Sequence, residues 1–247
     1  MNEQNAIPFW REAQEDELHF WRASQKKRVS IPHESRARCQ KCLTLSPILI
    51  DYSTRILDVG SGPYGGVPFF LSTSCFKVSI DPVFGKTGEF LKKGLGEDIN
   101  ITQAVGESLP FIPDAFDLVF CINTLDHSYN PLTILKEIHR VLSKSGVLVM
   151  MVHVVTPIEK LLHHLVYKTR LRRASKAVAR LAGIIGSNIL KDGIKHPFYF
   201  THNDVVELLS HSGFSTIQTN CYASEWNYKK ECYIVSCKKR NTFVKRK

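Results

Sequence analysis

Arg55-Ile56-Leu57-Asp58-Val59-Gly60-Ser61-Gly62-Pro63-Tyr64-Gly65 is the stretch on which the fold turns. A short apolar run enters a glycine-rich loop, the pattern of a buried strand ending in a tight turn. Glycines let the backbone pass close to a ligand with no side chain in the way. In open α/β sheets, ligands sit at the carboxyl ends of the strands, where the strand order reverses. The loop therefore predicts a cofactor site that includes Asp58, Gly60, Ser61 and Gly62.

Lys77 to Pro82 reads as a second strand ending on Asp81. Asn100 to Val105, Phe116 to Ile122 and Gly146 to Val152 read as three more. The clearest helix runs from Pro131 to Leu142, with Asn130 as its N-cap and proline at its first position. Continuous apolar strands alternating with helices imply a parallel sheet covered on both faces. Two last strands, near 216–222 and 231–237, complete the expectation: a doubly wound, seven-stranded, mostly parallel α/β sheet of Rossmann-like type.

The organisation expected is one domain in five parts. Residues 1–50 form a helical preamble, in which Trp10, Ala13, Leu18 and Trp21 make a loose stripe. Residues 51–155 form the cofactor-binding core. Residues 156–200 form a basic helical insert opened by the capping sequence Thr156-Pro157-Ile158-Glu159. Residues 201–238 finish the core, starting with a second capping sequence at Thr201, and 239–247 are a basic tail.

The loop alone leaves the cofactor open. Gly60-Ser61-Gly62-Pro63-Tyr64-Gly65 matches the dinucleotide fingerprint, which keeps an NAD-dependent oxidoreductase as one reading. Asp81 suits either cofactor, because a carboxylate offers acceptors to two vicinal ribose hydroxyls. Three features oppose NAD. Asp58 stands where it would repel a pyrophosphate but could accept from an α-amino group. Pro63 removes an N–H that a phosphate would use. The loop also follows some 55 residues of preamble instead of opening the chain.

Further along come Glu107-Ser108-Leu109-Pro110-Phe111, Asp114 to Val119, Asn123-Thr124-Leu125-Asp126-His127, and Leu135 to Leu142 followed by Gly146. With the loop, this ordered series resembles the class I S-adenosylmethionine-dependent methyltransferases, type 11 subgroup, over about Ile56 to Val152. The resemblance implies that Asp58, Gly60 and Gly62 hold the methionine moiety and that Asp81 holds the ribose. It implies that Gly106 and Glu107 lie by the adenine and that Asn123 flanks the sulfonium. Two positions depart from the family pattern. Tyr64 stands where a third glycine is common, and Val105 stands where an acid is common. Glu107 therefore keeps two readings, an adenine contact or a solvated loop acid. A non-catalytic module that only binds the cofactor is the alternative to an enzyme.

The sulfonium is already activated, so the protein must align the acceptor and exclude water. An oxygen acceptor also benefits from a general base, for which histidine is suited near neutral pH. His127 and His153 follow the fourth and fifth strands and are the two candidates, although His127 also suits a structural role. The preamble from Phe9 to Trp21 is similar to that of methyltransferases among bacterial surface-glycan enzymes, which implies a saccharide or other small-molecule acceptor and O-methylation.

Charge is uneven. Eight Lys or Arg and no acid lie between residues 160 and 191, out of a net charge of +10. That segment fits a solvated face, an anionic membrane surface, or a pocket for an acidic substrate. It carries no aromatic interleaving, so nucleic acid is not expected. Seven cysteines, an odd number, point to reduced thiols and a cytoplasmic setting, with peripheral membrane association through 160–191 kept open. The Cys39-x-x-Cys42 spacing has no second pair to match it, so no metal site is read. The polar start, Met1 to Asn5, reads as no signal peptide.

Overall fold

The structure is a computed structural model that describes residues 3–26, 33–85, 100–161, 197–224 and 229–239. Its elements in chain order are α1 (Glu3–Lys26), α2 (His33–Leu45), β1 (Arg55–Val59), β2 (Phe76–Ile80), β3 (Asn100–Thr102), β4 (Phe116–Ile122), α3 (Pro131–Val141), β5 (Leu142–Val154), α4 (His202–His211), β6 (Phe214–Ala223) and β7 (Lys230–Lys238). They build one seven-stranded sheet in the order β3-β2-β1-β4-β5-β7-β6. The strands from β3 to β5 run parallel, whereas β7 is antiparallel to both β5 and β6. This is the Rossmann-like methyltransferase fold that the sequence leads one to expect, closed by an antiparallel hairpin.

Both faces of the central strands are buried, as their largely apolar runs require. On one face Leu57, Val119, Leu148 and Met150 pack against Ile134 and Ile138 of α3 and Val205 and Leu209 of α4. On the other, Ile56, Phe120, Val149 and Met151 pack against Cys39 and Cys42 of α2. Alternate residues of one strand thus serve opposite layers. Emptying either side, as in Phe120→Ala, removes about 3–5 kcal/mol of burial.

The described residues of the preamble hold the two helices α1 and α2, in keeping with the helical reading. Several boundaries differ from the sequence reading, that of β5 for an identifiable reason. Strand β5 starts at Leu142, because Leu142 pairs with Phe116 before an irregularity shifts the register to Leu118↔Val147. Lys144 and Ser145 are exposed there and read as a loop in the sequence. Asn130 caps α3, its side chain accepting from the Thr133 amide at 3.1 Å. Both capping boxes form: Glu159 accepts from the Thr156 amide at 2.7 Å, and Thr201 and Asp204 satisfy each other's backbone. Beyond Leu161 the basic insert up to residue 196 lies outside the described residues, as does the tail from 240. No helix among the described residues is long and apolar enough to cross a membrane.

Candidate active site

Strand order reverses between β1 and β4, and the cleft opens there. The amides of Gly60 and Ser61 both donate to the Ile80 carbonyl, at 2.9 and 3.1 Å, which bends the chain sharply after β1. Gly60 has φ +75°, and a side chain there would run into Thr124. Thr124 in turn donates its hydroxyl to the Val59 carbonyl at 3.1 Å, so the loop after β4 is buttressed against the loop after β1.

Two acids stand on opposite sides of that bend. Asp58 is 1% exposed. Its Oδ2 accepts from the Val67 amide at 2.6 Å, while its Oδ1 is buried with no hydrogen-bond partner. Burial pushes this carboxyl up to about 7; the Val67 hydrogen bond opposes the shift and the nearby Asp81 adds to it. Asp81 accepts from the Gly62 amide at 2.8 Å and the Val83 amide at 2.9 Å. Burial raises it to about 6, those two amides and His127 pull it down, and Glu17 pushes it further up. A carboxylate left with an unsatisfied buried oxygen is costly, and a cationic donor would relieve that cost.

All eight residues read as cofactor contacts line this single cleft: Asp58, Gly60, Ser61, Gly62, Asp81, Gly106, Glu107 and Asn123. Asn123 sits at the end of β4 with φ +54°, a conformation uncommon outside glycine, and its Oδ1 is also buried without a partner. Glu107 is 8% exposed, so it is no solvated acid. Its Oε1 accepts from the amides of Tyr129 and Asn130, at 2.9 and 3.1 Å, and thereby fixes the entrance to α3. Gly106 presses so close to Val59 and Ile134 that a side chain would force them apart.

The two histidines part company. His127, on the 3₁₀ turn Leu125–His127, lines the cleft. His153 is not among the lining residues. It lies in a buried polar knot, its Nε2 3.3 Å from Arg38 Nη2 and 3.9 Å from Glu231 Oε1. Arginine only donates, so that contact engages Nε2 as an acceptor.

Sequence reasoning missed the wall opposite the glycine loop. Helix α1 presents Trp10, Gln14, Glu17 and Trp21 to the cleft, one helical face. Trp21 packs edge-on against Tyr64 and Trp10 against Tyr129, both at 5.3 Å between ring centres. Trp21 also donates from Nε1 to Glu17 at 2.9 Å. Their spacing was legible as a stripe, but a stripe does not say whether it faces core or ligand. Arg38 of α2 was missed as well. It lines the cleft and donates from Nε to Glu231 at 2.8 Å across 193 residues of chain, a distance that no local pattern reveals.

Comparison with known proteins fits this geometry. Residues 57–150 match a family model described as a methyltransferase domain. No curated protein matches the chain by sequence. Among solved structures, the chain resembles the Burkholderia thailandensis 1,6-didemethyltoxoflavin-N1-methyltransferase, bound to 1,6-didemethyltoxoflavin and S-adenosylhomocysteine, with a TM-score of 0.62 and 14% identity over 96% of this chain and 91% of that one. It also resembles an S-adenosylmethionine-dependent methyltransferase from Thermotoga maritima, with a TM-score of 0.53 and 17% identity over 83% of this chain and 89% of that one. The cyclase SpnF shares the architecture too, with a TM-score of 0.59 and 15% identity over 83% of this chain and 80% of that one. At such identities the likeness is one of fold, and a fold hosts more than one chemistry.

Proposed function

Because residues 57–150 form a methyltransferase domain of the class I, type 11 kind, we propose that the chain transfers a methyl group from S-adenosylmethionine to a hydroxyl of a small-molecule acceptor, with a saccharide the favoured class. The observation that carries the cofactor part is the unpaired, buried Oδ1 of Asp58 in the wall of the cleft. The chain's residues fit the cofactor. Asp58 offers that oxygen to an ammonium, Gly60 and Gly62 leave backbone where side chains would intrude, and Asp81 offers lone pairs to a diol. Bound there, S-adenosylmethionine supplies a methyl group already activated by the sulfonium.

The rest of the work falls to the protein. Asp58 and Asp81 offer acceptor oxygens to the cleft, and Asn123 Oδ1 adds a fixed dipole at the end of β4. Preorganised groups of this kind act without reorganising during the reaction. Trp10 and Trp21 on α1 exclude water from the opposite side. His127 is our choice for the base that takes the acceptor's proton, since it alone of the two sequence candidates lines the cleft. We assign His153 a positioning role through Arg38. The charge run 160–191, most of which lies outside the described residues, is the segment we assign to contact with an anionic surface or an acidic acceptor.

Calorimetry with S-adenosylmethionine and S-adenosylhomocysteine tests the cofactor, and transfer of isotope-labelled methyl across saccharide and phenolic acceptors tests the reaction. Both ligands should bind at one site. Binding of neither by folded protein overturns the proposal. Binding without transfer to any acceptor supports a non-catalytic module instead.

A further inference from the structure

The hairpin β6–β7 brings together three side chains that play no part in the cleft. Cys221 and Cys232 are directly paired across the two strands, with their sulfurs 2.8 Å apart. His202, the first residue of α4, reaches the same spot. One ligand atom from each of the three lies within 4.8 Å of the others, the one such group of three among the described residues. The Thr219 hydroxyl sits between them, 3.0 Å from His202 Nε2 and 3.6 Å from the Cys232 sulfur. Cys221 is exposed, Cys232 is buried, and His202 lies between those extremes, so the group is open to solvent on one side.

We propose that His202, Cys221 and Cys232 form a binding site for a zinc ion, with solvent as the fourth ligand. Two sulfurs and an imidazole nitrogen are the ligand set that zinc favours over hard cations. Ligand atoms around tetrahedral zinc stand about 3.5–3.8 Å apart, given bonds of about 2.0–2.3 Å. The sulfurs must therefore open by about 1 Å, a side-chain rotation that the exposed Cys221 can make. Binding forms two Zn–S bonds and one Zn–N bond and releases the two thiol protons to solvent. Zinc takes the thiolate form of both cysteines, so affinity rises with pH. The site would tie the start of α4 to the sheet's last hairpin. Its ligands come from residues 11 and 30 apart and meet only through strand pairing, which is why no spacing motif announces them.

A disulfide between Cys221 and Cys232 is the competing use of the same pair, but it leaves His202 without a role. The test uses the full chain, reduced and handled without oxygen. Zinc content is measured after dialysis, and cobalt(II) is then titrated into the zinc-free protein. The expected result is one zinc per chain and a cobalt spectrum with thiolate charge-transfer and tetrahedral ligand-field bands. Cys221→Ser lies at an exposed position and spares the core; it should abolish the thiolate bands or reduce them by half. His202→Gln should weaken zinc binding at least tenfold. Failure of the reduced protein to hold zinc or cobalt overturns the site. So does retention of the full cobalt spectrum by Cys221→Ser, or recovery of the pair as a disulfide that takes no metal once reduced. None of these readouts depends on methyl transfer.

Discussion

Asp81, at the end of β2, accepts a hydrogen bond from the Gly62 amide at 2.8 Å, so the acid expected to hold a ribose also holds the loop expected to hold the methionine end. One substitution therefore disturbs two contacts. Asp81→Ala should lower the affinity for S-adenosylhomocysteine by about tenfold to a hundredfold, the worth of a charged hydrogen bond. Asp81→Asn keeps an acceptor for the Gly62 amide and should lose less. Calorimetry on both variants checks the order, and equal losses would mean that the loop tether carries no weight.

Asp58 makes the site sensitive to pH. Its carboxyl is raised to about 7 in the folded protein from an ordinary value of 3.8. Between those values the folded state binds the extra proton, so the ligand-free protein loses stability as pH rises from about 4 to about 7. Asp58→Asn should flatten that slope and raise the thermal midpoint at pH 8. Cofactor binding should run the other way in the native protein. An ammonium ligand favours the ionised acid, so affinity should fall as pH drops through about 7, with protons released on binding. Calorimetry in buffers of different ionisation enthalpy reads that release directly.

Arg38→Met leaves the Glu231 carboxylate buried without its cation. Burial pushes this carboxyl up, but the Tyr233 hydroxyl and the Arg38 guanidinium outweigh that push and hold it below its usual range. Loss of the arginine should cost about 3–5 kcal/mol in denaturant unfolding. Pairing it with Glu231→Gln should restore much of that cost, because the uncompensated charge is gone. If the double variant is no more stable than the single one, packing of the long side chain matters more than charge.

His127→Gln separates catalysis from binding. Methyl transfer to an oxygen acceptor should fall by about 10²–10⁴-fold, the usual worth of a general base. S-adenosylhomocysteine affinity should stay within a few-fold of the native value. His153→Gln should act mainly on stability, through the Arg38 knot. A large rate loss in His153→Gln with unchanged stability would reverse the two roles.

The cationic run from 160 to 191 predicts flotation of the full chain with vesicles containing anionic lipid, weakening as salt rises. Equal recovery with neutral vesicles would remove the membrane reading.

Most of the sheet was legible because its signal is local. Leu118 to Ile122 is apolar throughout and Ile56 to Val59 is broken only by Asp58, and such near-continuous apolar runs belong to strands buried on both faces. The glycine loop was legible for the same reason, since Gly60 answers to its own backbone angles and to Thr124. Glu107 resisted because a loop acid in sequence carries no sign of the two amides it accepts from. Arg38 and the face of α1 resisted because their partners are distant in sequence or are ring faces. The start of β5 resisted because Lys144 and Ser145 are polar and exposed within a strand that Leu142 has already begun.

The position of β7 sets an order of assembly. It lies between β5 and β6, although it follows both in the chain. During synthesis β6 lacks its native partner until β7 has emerged, and Arg38, made nearly two hundred residues earlier, waits for Glu231 on that same strand. A ribosome stalled before residue 230 would therefore hold a nascent chain with its glycine loop already made, an unfinished sheet edge and Arg38 ion-paired only with Glu34 among the described residues. The strand that completes the described sheet is thus also the one that brings Glu231 to Arg38.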